Sequence, residues 1–199
     1  MKELNKVSVD LYKKAYSELT KPQKRKAVIE LMIENSKVPL TETELIKLAK
    51  PKRLYTEWQR RLNLAFPDPL YVTDGKLVII DKEVTRKIRE QWQKKNSDSI
   101  IPDHIKPPVY TQVIPKNIGT RAVYVTCNIG GERNSYYLIY RNENGIYSGF
   151  DAGYLAVIYK HFPNTTMSFT DNKYLAVFQI EGVTKAVLMP IKLDSRWNN

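Results

Sequence analysis

Hydrophobic positions in this chain change their period near its middle. In the first hundred residues they recur every three or four positions, the spacing that gathers side chains on one face of a helix. Val9, Tyr12, Tyr16 and Leu19 mark such a stripe over 3–19. Ala27, Val28, Leu31 and Met32 mark a second, which begins near Pro22 and which Thr20 and Gln23 can cap. Thr41-Glu42-Thr43-Glu44 has the spacing of a capping box ahead of Leu45, Ile46 and Leu48. Pro51 closes that helix and is tolerated in the first turn of another. Over 52–65, Leu54, Tyr55, Trp58 and Leu62 gather on one side, and Lys52, Arg53, Thr56, Arg60 and Asn63 on the other. Glu57 interrupts the basic side, and Pro67-Asp68-Pro69 ends the segment. Two apolar runs, Leu70-Tyr71-Val72 and Lys76 to Ile80, then flank Thr73-Asp74-Gly75. Asp-Gly between apolar runs predicts a hairpin. Val84, Ile88 and Trp92 predict a closing helix over 81–95.

In the second half the period shortens towards two. Ala122 to Thr126 and Tyr136 to Tyr140 read as strands, with Gly130-Gly131 and Asn142-Glu143-Asn144-Gly145 as turns. Asp151 caps a short helix that buries Leu155, Ile158 and Phe162 and stops at Pro163. Three more strands follow, Thr166 to Thr170, Tyr174 to Ile180 and Val183 to Lys192. Between the halves, Asn96-Ser97-Asp98-Ser99 with Pro102, Pro107 and Pro108 has the composition of a semi-rigid linker. The expected class is α+β. A helical N-terminal domain with a β-hairpin spans 1–99, a linker 100–109, and a mostly antiparallel β domain with one short helix 110–199.

Charge adds a direction. The chain of 199 residues carries a formal +11, and its first hundred residues hold 22 Lys and Arg against 14 Asp and Glu. A basic excess of this kind favours a polyanion, usually nucleic acid. Helix, turn, basic helix and hairpin is also the order of a winged helix-turn-helix, whose second helix enters the major groove. On that reading Arg53, Thr56 and Arg60 face the groove, and Lys52, Asn63 and Lys76 contact phosphate or the wing side. The partner is double-stranded DNA. The rival partner, a membrane surface, calls for a spare basic helix with exposed Trp or Phe, and none stands out. No N-terminal run resembles a signal peptide and no stretch reaches the length of a membrane span, so a soluble cytoplasmic protein is expected.

Near the C-terminus, Ser148-Gly149-Phe150-Asp151-Ala152-Gly153-Tyr154-Leu155, Ser168-Phe169-Thr170-Asp171 and Val187-Leu188-Met189-Pro190-Ile191-Lys192-Leu193 resemble the last half-domain of the bacterial DNA polymerase III β sliding clamp. The resemblance covers 146–193. It implies a strand, a helix and three strands. It also implies a cleft for short apolar peptides of replication partners, here lined by Tyr154, Met189, Pro190 and Ile191. The chain departs from a clamp ring, which repeats such domains six times. A clamp-like domain reused for self-association or for contact with a replication or transcription protein is the expectation.

Catalytic groups are not visible. One cysteine, Cys127, and two histidines, His104 and His161, make neither a disulfide framework nor a zinc set. There is no Gly-rich phosphate loop, no His-Glu-x-x-His and no serine flanked by glycines. Cys127 reads as buried filler, and His161 as a helix-end cation that complements the dipole. Most of the 13 tyrosines follow residue 110 and fit half-buried strands. The sequence thus predicts non-catalytic binding of duplex DNA without cofactor or metal, in replication control or transcriptional regulation, that of a mobile element included. A protein adaptor using the clamp-like cleft is the alternative.

Overall fold

The computed structural model describes residues 17–33, 40–54, 71–93, 114–129, 136–171, 173 and 175–193. Within them four helices and eight strands alternate. Helices α1 (Lys21–Ile33) and α2 (Glu42–Leu48) lead into strands β1 (Val72–Thr73) and β2 (Leu77–Ile79), followed by α3 (Lys82–Gln93). Strands β3 (Thr120–Ile129), β4 (Tyr136–Asn142) and β5 (Tyr147–Asp151) precede α4 (Ala152–His161). Strands β6 (Thr166–Phe169), β7 (Ala176–Ile180) and β8 (Val183–Leu188) follow. The expected α+β composition and the strand-helix-strand-strand-strand order from residue 146 are both present.

Local chemistry places the helix ends as the sequence predicts. Thr20 is held by Gln23 Oε1 ahead of α1, through its backbone N–H at 2.9 Å and its hydroxyl at 2.7 Å. Thr41 and Glu44 form a reciprocal capping box that satisfies two otherwise orphaned donors of α2. Asp81 accepts from the backbone N–H groups of Glu83 and Val84 at the start of α3, and Asp151 accepts from Gly153 at the start of α4. Burial raises the Asp81 carboxyl, but Lys185 at 2.8 Å and the two N–H donors outweigh it and hold the group below its ordinary value. His161 departs from expectation. Burial, with Lys160 and Lys87 nearby, pushes its imidazole below the ordinary value, so the neutral ring is favoured over the helix-end cation.

The strands form one antiparallel sheet in the order β1-β2-β8-β7-β6-β3-β4-β5. Just past β8, Ile191 bridges to Gly149 of β5 and donates its N–H to the Gly149 carbonyl at 2.9 Å. The run from β8 to β5 therefore curls back until its ends meet. Helix α4 packs on the inner face, and every residue from Ala152 to Ile158 is buried. Side-chain parity sorts the sheet into two faces. Leu77, Ile79, Leu138, Tyr140, Phe150, Phe169, Phe178 and Leu188 join the main core around α4. On the reverse, Val78 packs with Val177 and Val187, and Tyr137 and Ile139 pack with Leu193.

The hairpin at 72–79 lies where the sequence places it, with Gly75 at φ +88° in the turn. Its setting differs from a free wing. Strand β2 is paired on both sides, with β1 and with β8 through Leu77–Leu188, Val78–Val187 and Ile79–Ala186. All three β2 residues are buried, two towards one face of the sheet and one towards the other. The main core likewise runs from Val28 through Leu77 and Trp92 to Leu188, across both halves of the chain. The described start of the expected reading helix also differs. Residues 51–54 are not helical, and the Lys52 N–H donates to the Gly153 carbonyl at 3.1 Å. The stretches 3–16, 55–70 and 94–113, with most of the first predicted helix, the rest of the reading helix and the linker, lie outside the described residues.

Candidate functional site

Helix α4 begins where three segments meet. Tyr154 on its first turn donates its hydroxyl to Asp74 Oδ2, in the hairpin turn, at 2.6 Å. Asp151 pairs with Lys52 Nζ at 3.0 Å, and that ammonium lies 6.0 Å from the centre of the Tyr154 ring. Gly153 allows the close approach of the 50–52 backbone, since a Cβ there would meet the Lys50 carbonyl oxygen at 2.7 Å. Asp74 also accepts from the N–H groups of Lys76 and Leu77, both at 2.9 Å, which fixes the turn. One carboxylate thus ties the hairpin to α4 and shapes the hairpin itself.

This convergence brings together residues assigned to two separate sites. Lys52, Arg53 and Lys76, read as DNA contacts, gather around the same helix start as Tyr154, read as a cleft residue. Arg53 and Lys76 are exposed, as is neighbouring Lys50. Among the described residues none of these three is in an ion pair. Lys52 is half-buried and committed to Asp151. Thr56, Arg60 and Asn63 lie outside the described residues.

The cleft residues are divided. Tyr154 is only 8% exposed. Burial, followed by Asp74 and Asp151, pushes its hydroxyl well above the ordinary value, so it remains a donor. Met189 is 49% exposed, while its backbone N–H donates to the Lys76 carbonyl at 2.8 Å. Pro190 is partly buried, and so is Ile191, which is held by its bridge to Gly149. The hairpin turn therefore sits on the tyrosine that the clamp resemblance assigns to an incoming peptide.

Other tyrosines bind the two halves of the chain together. Tyr136 donates to the Leu45 carbonyl at 2.5 Å, and Tyr140 to Glu42 Oε1 at 2.7 Å, which fasten β4 to α2. Cys127 is half-buried, and burial raises its thiol above the ordinary value, so it is a poor nucleophile. Among the described residues no cluster of three His, Cys, Asp or Glu side chains could hold a metal. No described helix is long and apolar enough to cross a membrane.

The site belongs to a mixed helical and antiparallel-sheet protein with basic groups around a buried helix start. No protein family matches this chain, and no curated protein matches it. Among solved structures it is similar to the DNA polymerase sliding clamp from Caulobacter crescentus, at 15% identity and a TM-score of 0.33. That similarity covers 62% of this chain and 53% of the clamp, so this chain spans about half the length of the clamp.

Proposed function

We propose that this protein binds double-stranded DNA without acting on it chemically. The surface is the basic group formed where residues 50–53 meet the hairpin turn. The observation that carries the reading is the exposure of Lys50, Arg53 and Lys76 around one helix start, with no described carboxylate paired to them. Unpaired cations on a rigid support are what phosphate recognition uses, because each contact releases a condensed counterion. In this reading the hairpin is a strut that holds Lys76 in place, rather than a flexible wing. Thr56, Arg60 and Asn63, outside the described residues, remain contacts proposed from the sequence, with Arg53 and Arg60 reading bases. Replication control or transcriptional regulation is the setting that fits such binding. Exposed Met189, with Pro190 and Ile191, is left for a protein partner or a second copy. Use of Tyr154 in that contact would require the hairpin turn to leave it.

Fluorescence anisotropy with a random duplex, across a salt series, tests the reading. Affinity should fall linearly on logarithmic axes, with a slope of about −0.9 per phosphate contacted. Changing Lys76 to Ala should weaken binding evenly across sequences and shorten the slope by about one contact. Changing Arg53 to Ala should cost about 1–3 kcal/mol on the preferred site if it pairs with guanine. The duplex should be recovered intact after incubation with Mg²⁺. Unchanged affinity and slope in the Arg53→Ala, Lys76→Ala double variant would remove this surface from the function.

A further inference from the structure

The opposite end of α4 borders a cavity of about 800 Å³ that the DNA reading does not use. Ten helical residues separate the two ends by about 15 Å. The cavity opens where β3 and β6 part. Those strands pair only at Thr120–Phe169 and Arg121–Ser168, so the next residues of β3 face a gap instead of a neighbouring strand. Helices α2 and α4 and the start of α1 complete the walls.

Its lining is sorted by depth. Lys21, Lys47, Arg121 and Lys160 border it, and all four are exposed. Among the described residues none of them is in an ion pair. The wall is aromatic and apolar, with Tyr124, Tyr140 and Tyr159 beside Ile46 and Met167. Tyr124 meets Tyr140 edge-on at 6.0 Å, and Tyr159 meets Phe178 edge-on at 6.5 Å, so these rings are braced from behind. Glu42 is the one carboxylate of the lining. It accepts from the Tyr140 hydroxyl and is also hydrogen-bonded by the Tyr159 hydroxyl, and the two oxygens of a carboxylate still have lone pairs for further donors.

We propose that this cavity is a nucleotide site. The phosphate lies among the four cations, the base lies against the tyrosine wall, and Glu42 accepts from N–H groups on the base edge. Guanine suits that role, because its adjacent N1–H and N2–H donors match the two oxygens of a carboxylate. An acidic peptide would gain from the cations but would meet Glu42 as a repulsion. A duplex is too wide to enter a concavity of this volume, which falls in the range of small-ligand sites. The same chemistry is offered by a free nucleotide or by the phosphorylated end of a strand. The site uses none of Lys50, Arg53 and Lys76, although Ala49 and Pro51, which flank Lys50, also line the cavity.

Calorimetric titration of the full chain tests this with GMP, AMP, inorganic phosphate and a 5′-phosphorylated guanine trinucleotide. GMP or the trinucleotide should bind more tightly than AMP, and AMP more tightly than phosphate. Binding of GMP itself identifies the free nucleotide as the source; binding of the trinucleotide alone identifies a strand end. The Arg121→Ala, Lys160→Ala variant alters only exposed side chains and should weaken binding by at least about tenfold, as loss of a charge-assisted contact does. Glu42→Gln should erase the preference for GMP over AMP while leaving phosphate binding unchanged. The proposal is overturned if neither GMP nor the trinucleotide binds at millimolar concentration, if phosphate binds as tightly as the better of the two, or if the double variant, folded by circular dichroism, binds like the parent.

Discussion

Leu77→Ala will destabilise the whole chain by about 2–5 kcal/mol, the cost of a cavity in a closed core. Leu77 is fully buried, stands opposite Leu188 of β8, and shares the main core with residues from both halves of the sequence. The loss should therefore appear in a single denaturant transition. Circular dichroism and tryptophan fluorescence should shift to the same new midpoint with an unchanged slope. A hairpin that belonged to a separate winged unit would behave otherwise. Its variant would split the curve, with one early step and one step at the parent's midpoint.

Gly119→Ala will have an effect of similar size for a different reason. Gly119 has φ +73°, and a Cβ there would run into the backbone carbonyl of Phe169 and the N–H of Thr170. Backbone cannot move aside as the end of a side chain can. The left-handed conformation and the overlap together cost about 2–5 kcal/mol. The position matters because Thr120–Phe169 and Arg121–Ser168 are the pairs that join the β8-β7-β6 part of the sheet to β3-β4-β5. Thermal and urea unfolding should both report the loss. Gly145→Ala is the control, with a positive φ of +82° but nothing within 4 Å of its Cβ. It should lose only the conformational part, about 1–2 kcal/mol.

Local structure was legible in the residues, and long-range pairing much less so. The capping box at Thr41, the Asp-Gly turn, the Asp151 cap and the three strands after α4 depend on neighbours in sequence, and each stands near its expected bounds. The partner of the hairpin lies more than a hundred residues away, at β8. A signal was nevertheless present. Leu77-Val78-Ile79 is a continuous apolar run, the mark of a strand covered on both faces, whereas a solvent-facing wing would alternate. Of the joining tyrosines, Tyr136 and Tyr140 looked like ordinary strand residues, and Tyr154 was read as a cleft residue. Only the fold supplies the acceptors at Leu45, Glu42 and Asp74. The cavity residues Lys21, Lys47, Arg121 and Lys160 come from four distant segments with no shared spacing, so composition alone could not group them.

The central claim is that the early hairpin is a built-in part of the late sheet, and that this union ties the turn preceding Lys76 to the same helix start that holds Lys52. Two hydrogen bonds flank the junction, from the Ile80 N–H to the Lys185 carbonyl and from the Met189 N–H to the Lys76 carbonyl, both at 2.8 Å. Native-state hydrogen exchange resolved by residue measures them directly. The account predicts that the Ile80 and Met189 amides exchange as slowly as those of Val177 and Phe178 in β7, with the free energy of global unfolding. Exchange of Ile80 and Met189 within seconds, while β7 stays protected, would contradict it.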